Sequence, residues 1–203
     1  MRYTPAPMFT GIVQGLGTLR RLGREEAEIS VPEELAKRLR SGASVAVSGV
    51  CLTASLCSED AFAAALSPET FARTTFQTAR VGTHVNLELA VAPSAGLDGH
   101  IVLGHVDAVG RVKAFFREGD AWVLIVGYPP EHRAYVAEKG SIAVDGISLT
   151  PYGLDGATFR CSVIPETYER TTLKDRRTGD LVNLEFDVLA KYVERMVRGV
   201  HPD

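Results

Sequence analysis

Short runs rich in valine and isoleucine punctuate the whole chain: "ASVAVSGV", "THVNLELAV", "HIVLGHV", "AWVLIV", "SIAVDGI" and "LVNLEFDV", each bounded by Gly, Asp or Ser. That pattern predicts short β-strands joined by tight turns, and many such strands in a small chain predict closed barrels. Helical signals are brief. "PEELAKRL" places Pro32 near a helix start, where its missing N–H is harmless. "PETFARTT" and "PETYERTT" allow a turn or two. Only the end of the chain changes period. Leu189, Tyr192, Val193, Met196 and Val197 fall at i, i+3, i+4, i+7 and i+8, opposite Lys191, Glu194, Arg195 and Arg198, with Gly199 as a stop. This predicts an amphipathic helix.

The pattern repeats. The spacing that carries Cys51 onto Ser148 carries "SVAVSGVCLT" onto "SIAVDGISLT", "SPETFARTT" onto "IPETYERTT" and "VGTHVNLE" onto "TGDLVNLE". A copy this long and gapless is a duplicated domain, not a solenoid unit. At a second spacing, "MFTGIVQGLG" aligns with "IVLGHVDAVG", placing Gly11 on Gly104. The boundaries that follow are a first unit at 8–95, a second at 96–187 and a terminal helix with tail at 188–203. The linker is "APSAGLDG", made of small and turn-forming residues. The terminal helix lies outside the repeat. Since each barrel closes its own core, self-association is favoured for it over covering a barrel.

Bulk composition narrows the function classes. The 203 residues are 45% hydrophobic and 23% charged with net charge −3, which speaks for folded domains and against a nucleic-acid surface. The nearest basic run, "KDRR" at Lys174 to Arg177, is broken by Asp175 and reads as a turn. No apolar run is long enough to span a membrane, and the start lacks a signal-peptide pattern. Three cysteines without metal-ligand spacing point to a reducing cytoplasm and to neither disulfides nor a metal site.

Taken together, "MFTGIVQGLG", "SGVCLT", "GHIVLGHVD", "GSIAVDGISLT", "IPETYERTT" and "VNLEFD" resemble the riboflavin synthase family of two-barrel lumazine-binding proteins, from Met8 to about Gly199. The resemblance implies an all-β fold of two tandem Greek-key barrels related by a pseudo-twofold axis. It also implies a C-terminal helix that builds a homotrimer, with each active site between the N-terminal barrel of one subunit and the C-terminal barrel of its neighbour. The implied reaction is a dismutation of two 6,7-dimethyl-8-ribityllumazine molecules. One gives a four-carbon unit to the other, yielding riboflavin and 5-amino-6-ribitylaminouracil. Electrons are only redistributed between two identical molecules, so no cofactor is expected, and a duplicated binding domain supplies two matching seats. Lumazine synthase is a candidate partner.

Residues shared by the halves are expected to bind the common ligand, and residues that differ to separate the roles of the two molecules. Thr53 and Thr150 are paired hydroxyls, otherwise simply β-favouring; Ser44 and its mate Ser141 are paired too, or merely start strands. By resemblance, Gly11, Ile12 and Val13 line a site, as do Gly104, His105 and Val106, together with Leu52 and Leu149. So do Ala65, Leu66 and Ser67 leading into Pro68, Glu69 and Thr70, and Ser162, Val163 and Ile164 leading into Pro165, Glu166 and Thr167. The asymmetric pairs are Ser48/Asp145, Cys51/Ser148, Ile12/His105 and Ala90/Asp187. His105 is expected to transfer a proton or polarise the ligand. Its neighbour His100 is five residues away, on the opposite side of a regular strand, and is expected to be structural. Cys51 is expected to line the site, and Ser148 to position a nucleophile or the ring. Asp145 is either a base or the anchor of a turn before Gly146. Lys139 is ligand-facing by resemblance, and Phe9 reaches the active site.

Departures from the family are Met1 to Pro7, which precede its usual start, Ala65 where many relatives are acidic, and Asp98 before the first histidine. The rival functional class is a lumazine- or flavin-binding protein that does not turn its ligand over. A flavin-binding reductase barrel would need a nicotinamide-binding domain, and no G-x-G-x-x-G follows a strand.

Overall fold

The computed structural model describes residues 8–92 and 96–199. The extension at 1–7, part of the linker at 93–95 with the boundary placed there, and the tail at 200–203 lie outside the described residues.

The first unit is a closed barrel of β1 (Gly15–Leu22), β2 (Glu26–Ser30), β3 (Ser44–Val47), β4 (Val50–Cys57), β5 (Ala61–Ala65) and β6 (His84–Leu89), in the order β1-β2-β5-β4-β3-β6. Its interior is filled by Leu19, Ile29, Val45, Val47, Leu52, Phe62 and Leu87. The short α1 (Glu33–Ala36) and α2 (Pro68–Arg73) connect strands.

The second unit repeats this order with one difference. It comprises β7 (Ala108–Glu118), β8 (Ala121–Gly127), β9 (Ile142–Val144), β10 (Ile147–Leu149), β11 (Pro151–Asp155), β12 (Thr158–Val163) and β13 (Leu181–Phe186), with α3 (Pro165–Arg170) after β12. The order is β10-β9-β13-β7-β8-β12-β11, a sheet curled until its two end strands are separated only by Thr150. Together β10 and β11 occupy the place of β4. The interruption falls where Pro151 replaces Ala54 of the first unit, and proline has no N–H to give a ladder.

The units meet turn to turn. Ser48-Gly49 links β3 to β4 and Asp145-Gly146 links β9 to β10, all four residues at positive φ (45°, 79°, 47° and 75°), as two-residue hairpin turns require. A Cβ on Gly49 would lie 2.7 Å from the Gly146 nitrogen, and one on Gly146 would lie 2.6 Å from the Gly49 nitrogen. Two buried asparagines stitch the junction. The Asn86 Nδ2 donates to the Asp145 carbonyl at 2.9 Å, and the Asn183 Nδ2 to the Ser48 carbonyl at 2.8 Å. Their Oδ1 atoms accept from the Thr172 and Thr75 N–H groups, both at 2.8 Å. Each asparagine thus satisfies a donor and an acceptor of the opposite unit, where an unpaired polar group would be costly.

The chain ends in α4 (Val188–Val197), whose first turn is capped by Asp187 accepting from the Leu189 N–H at 2.9 Å. Its apolar stripe does not pack on the body. Leu189, Tyr192, Val193, Met196 and Val197 are exposed, the last two 80% so. The polar side faces inward: Lys191 pairs with Asp107, and Glu194 meets the hydroxyl of Tyr135. Among the described residues no helix is long and apolar enough to cross a membrane.

The junction explains one asymmetric pair. Ser48 Oγ accepts from the Asn86 N–H at 3.1 Å; in its place Asp145 accepts from the Asn183 N–H at 2.8 Å and also takes Arg176, whose NH2 lies 2.7 Å away. The residue matching Arg176 in the first half is Ala79. Arg176→Ala should therefore destabilise the protein by about 3 kcal/mol, because Asp145 is fully buried and would lose its counter-charge. The double variant Asp145→Ser/Arg176→Ala, which copies Ser48 and Ala79, should recover most of that loss in urea unfolding.

Candidate active site

Each unit is met by a segment that crosses from the other half. The mates Phe9 and Val102 pair on the pseudo-axis, the Phe9 N–H donating to Val102 at 2.7 Å and the reverse bond spanning 3.1 Å. Beyond them both chains cross. The Ser148 N–H donates to the Gly11 carbonyl at 2.8 Å, and the Cys51 N–H to the Gly104 carbonyl at 2.8 Å. Val13 packs on the second core and Val106 on the first. Gly11 and Gly104 have φ of +77° and +76°. A Cβ on Gly11 would lie 2.7 Å from the Ser148 Cβ, and one on Gly104 would lie 2.5 Å from that of Cys51. Glycine is required at both positions by conformation and by space.

Buried carboxylates hold the crossing segments. Glu88 accepts from the Thr10 N–H (2.6 Å), the Thr10 hydroxyl (2.8 Å) and the Gly11 N–H (3.0 Å). Glu185 accepts from the N–H groups of Leu103 (2.6 Å), Gly104 (2.9 Å) and His105 (3.0 Å).

On the first unit the crossing brings exposed His105, next to Gly104, beside half-buried Cys51, and half-buried Ser44 and exposed Thr53, Ala65, Ser67, Pro68 and Glu69 belong to the same unit. Thr53 lies opposite Ser44 in the β3–β4 ladder. Ser67 caps α2, its Oγ accepting from the Thr70 N–H at 3.0 Å and meeting the Thr70 hydroxyl at 2.8 Å. Burial raises the Cys51 thiol pKa, opposed by a hydrogen bond with Ser44; a protonated thiol lines the cleft and does not attack.

The second cleft opens into a cavity of about 500 Å³ lined by Gly11, Ile12, Val13, Ser148, Glu166 and Thr167, the size of a small-molecule site. Gln14, Ile147, Arg170 and Thr171 complete it, four residues that sequence reasoning missed. Thr150, Ser162, Ile164 and Pro165 are exposed nearby in chain order, Ile164 by 57% and Ile12 by 45%. Lys139 is exposed, its ammonium 5.2 Å from the Tyr152 ring centroid. Its φ of 62° puts a lysine where the first half has Gly42, a strained backbone of the kind found at functional positions.

Several expected site residues are placed differently. The side chains of Leu52, Leu66, Leu149 and Val163 point into the cores, so only their backbone can face a ligand. Glu69 and Glu166 bend along their own helices to Arg73 and Arg170. Phe9 is fully buried with Ala46, Val102 and Ala143, and Cys51 packs against this group. Asp145 is fully buried at the junction, where it sits in the turn before Gly146 and pairs with Arg176. His100, expected to be structural, shares a 2.7 Å hydrogen bond with Ser148 through Nδ1. Burial lowers the His100 pKa, against the pull of Asp187, which leaves a neutral imidazole, and its Nε2 has no partner among the described residues. Residues 100–105 form no regular strand, only an isolated bridge at Val102, so the alternation expected of the two histidines has no strand to act on.

Comparison with known proteins agrees with this architecture. The lumazine binding domain model matches twice, over residues 10–90 and 103–187. The riboflavin synthase of Mycobacterium tuberculosis (strain ATCC 25618 / H37Rv) is 43% identical over 200 residues, covering 94% of this chain and 98% of that protein. The riboflavin synthase of Photobacterium phosphoreum is 38% identical over 195 residues, covering 94% and 89%. Among solved structures, LumP complexed with 6,7-dimethyl-8-(1'-D-ribityl) lumazine aligns with a TM-score of 0.79 at 22% identity, over 88% of this chain and 98% of that one. That last likeness concerns the fold alone.

Proposed function

The chain belongs to the lumazine-binding domain family and, within it, to the riboflavin synthases, and from that premise we propose how its two clefts carry out the reaction. Two molecules of 6,7-dimethyl-8-ribityllumazine dismutate. A four-carbon unit leaves one and joins the other, giving riboflavin and 5-amino-6-ribitylaminouracil. Two identical reactants need two similar seats, and the duplicated units supply them. Fixing both molecules in register removes much of the entropic barrier of a bimolecular step, a contribution of up to about 7–11 kcal/mol.

The observation that carries the reading is the pair of crossings built alike and tipped differently. One ends in Cys51 and His105, the other in Ser148 and Ile12, at matching places beside a left-handed glycine. The paired Thr53 and Thr150 bind the common ring or ribityl chain. His105 moves a proton at the first cleft. Neutral His100 orients and polarises the Ser148 hydroxyl at the second. The first site meets the second cleft of a neighbouring subunit in a homotrimer, and the exposed Ile12 and Ile164 are covered there. The apolar stripe of α4, turned away from its own chain, assembles that trimer. Three free cysteines suit a cytoplasmic location.

The purified protein should convert the ribityllumazine into riboflavin and the pyrimidine in equal amounts. His105→Asn and His100→Phe should each lower kcat at least about tenfold, with ligand affinity by fluorescence titration nearly unchanged, since an interaction made only in the transition state leaves ground-state binding intact. Binding without any product would identify a non-catalytic lumazine-binding protein instead.

Val193→Glu/Met196→Glu should reduce the assembly to monomers in sedimentation velocity while circular dichroism stays native. An unchanged trimer would assign the stripe no part in assembly.

A further inference from the structure

Glu185 is 97% removed from solvent, for only 3% of its surface is exposed, yet its carboxylate takes three successive backbone N–H groups of the segment that carries His105. Its mate Glu88 does the same for Thr10 and Gly11. Their surroundings differ. Next to Glu88 the first half has Gln14, an uncharged residue whose Oε1 accepts from the Leu89 N–H at 3.4 Å. The corresponding residue in the second half is Asp107. It accepts from the Phe186 N–H at 2.9 Å and holds the Lys191 ammonium at 2.7 Å and 2.6 Å. Lys191 comes from α4, outside the duplicated unit. A charged relay thus runs from the terminal helix to the carboxylate under His105, and among the described residues the other half has uncharged Gln14 in its place.

We propose that Glu185 is a positioning residue that sets His105 over the first cleft, and that Lys191 of α4 secures it there by compensating the buried charge through Asp107. The role given to His105 rests on the function proposed above; the hold on its segment does not.

The electrostatics give the hold a pH signature. Burial pushes the Glu185 carboxyl up to about 7; the N–H groups of Leu103 and Gly104 and the Lys191 charge pull it down, and Asp107 pushes it up. The other ionisable groups on the packed elements are Cys51, His100, His105 and Asp187. A carboxyl raised in the closed segment binds its proton more tightly there than in an opened, hydrated one. The hold is therefore strongest below the ordinary carboxylate range and is lost as the pH rises from there through about 7. Removing Lys191 penalises only the ionised form, so its effect appears above pH 7 and vanishes below.

Hydrogen exchange of the full-length protein, corrected for intrinsic rates, tests this without turnover. In Lys191→Met, protection of the Leu103, Gly104 and His105 amides should fall about tenfold at pH 8.5, the equivalent of one pKa unit, and match the parent at pH 6. Lys191→Arg should restore it. The Thr10 and Gly11 amides on Glu88 should not respond, which separates a local effect from general loosening. An equal fall at both pH values would make Lys191 a merely structural contact, and no fall at either would sever it from Glu185; both overturn the proposal. Failure to form riboflavin, with the exchange result intact, would overturn the function alone.

Discussion

No side chain fits at the two points where the chain crosses between its halves. At Gly11 and Gly104 the backbone is left-handed, and a Cβ would sit within 2.7 Å and 2.5 Å of the Cβ atoms of Ser148 and Cys51. The rest of the molecule follows from these two contacts. They place Ile12 and His105 at the clefts of the opposite units, allow Val13 and Val106 to plug the opposite cores, and require the buried carboxylates of Glu88 and Glu185 to hold the turns. Crossing and junction are therefore one construction, and the cavity of the second half is finished by residues of the first.

Duplication followed by divergence leaves asymmetric letters, and the physics sorts them. Asp145 differs from Ser48 because it buries a charge and has recruited Arg176, while Ala79 suffices opposite serine. Asp187 differs from Ala90 because a helix starts after it and needs a cap. Those two differences are structural. The remaining two, Cys51/Ser148 and Ile12/His105, fall at the crossing contacts themselves, where they set the two sites apart chemically. His100 adds to that difference, since it bonds Ser148, and its counterpart at the same spacing, Pro7, has no side-chain group that can hydrogen-bond.

Alternating and repeated patterns made the strands, both units and the amphipathic α4 legible in the sequence, because burial on one face of a strand or helix writes itself into residue order. The crossing was not legible. Aligning Gly11 with Gly104 shows that the segments are alike, not which unit each lies against, and hydrophobic period carries no information about partners across a pseudo-axis. The same limit hid the contact of His100 with Ser148 and the burial of Asp145. The inward turn of Leu52 and Leu149 follows from strand alternation. The split of the ladder at Pro151 was also written in the sequence, as a missing N–H.

Ligand-bound crystal structures of Gly104→Ala and Gly11→Ala test the central claim most directly. If each cleft is completed by the opposite half, Gly104→Ala should leave the ribityllumazine bound at Ser148 and Thr150 and absent from the cleft at Cys51 and Thr53, with Gly11→Ala giving the reverse. Loss of ligand from the cleft of the substituted glycine's own half would contradict it.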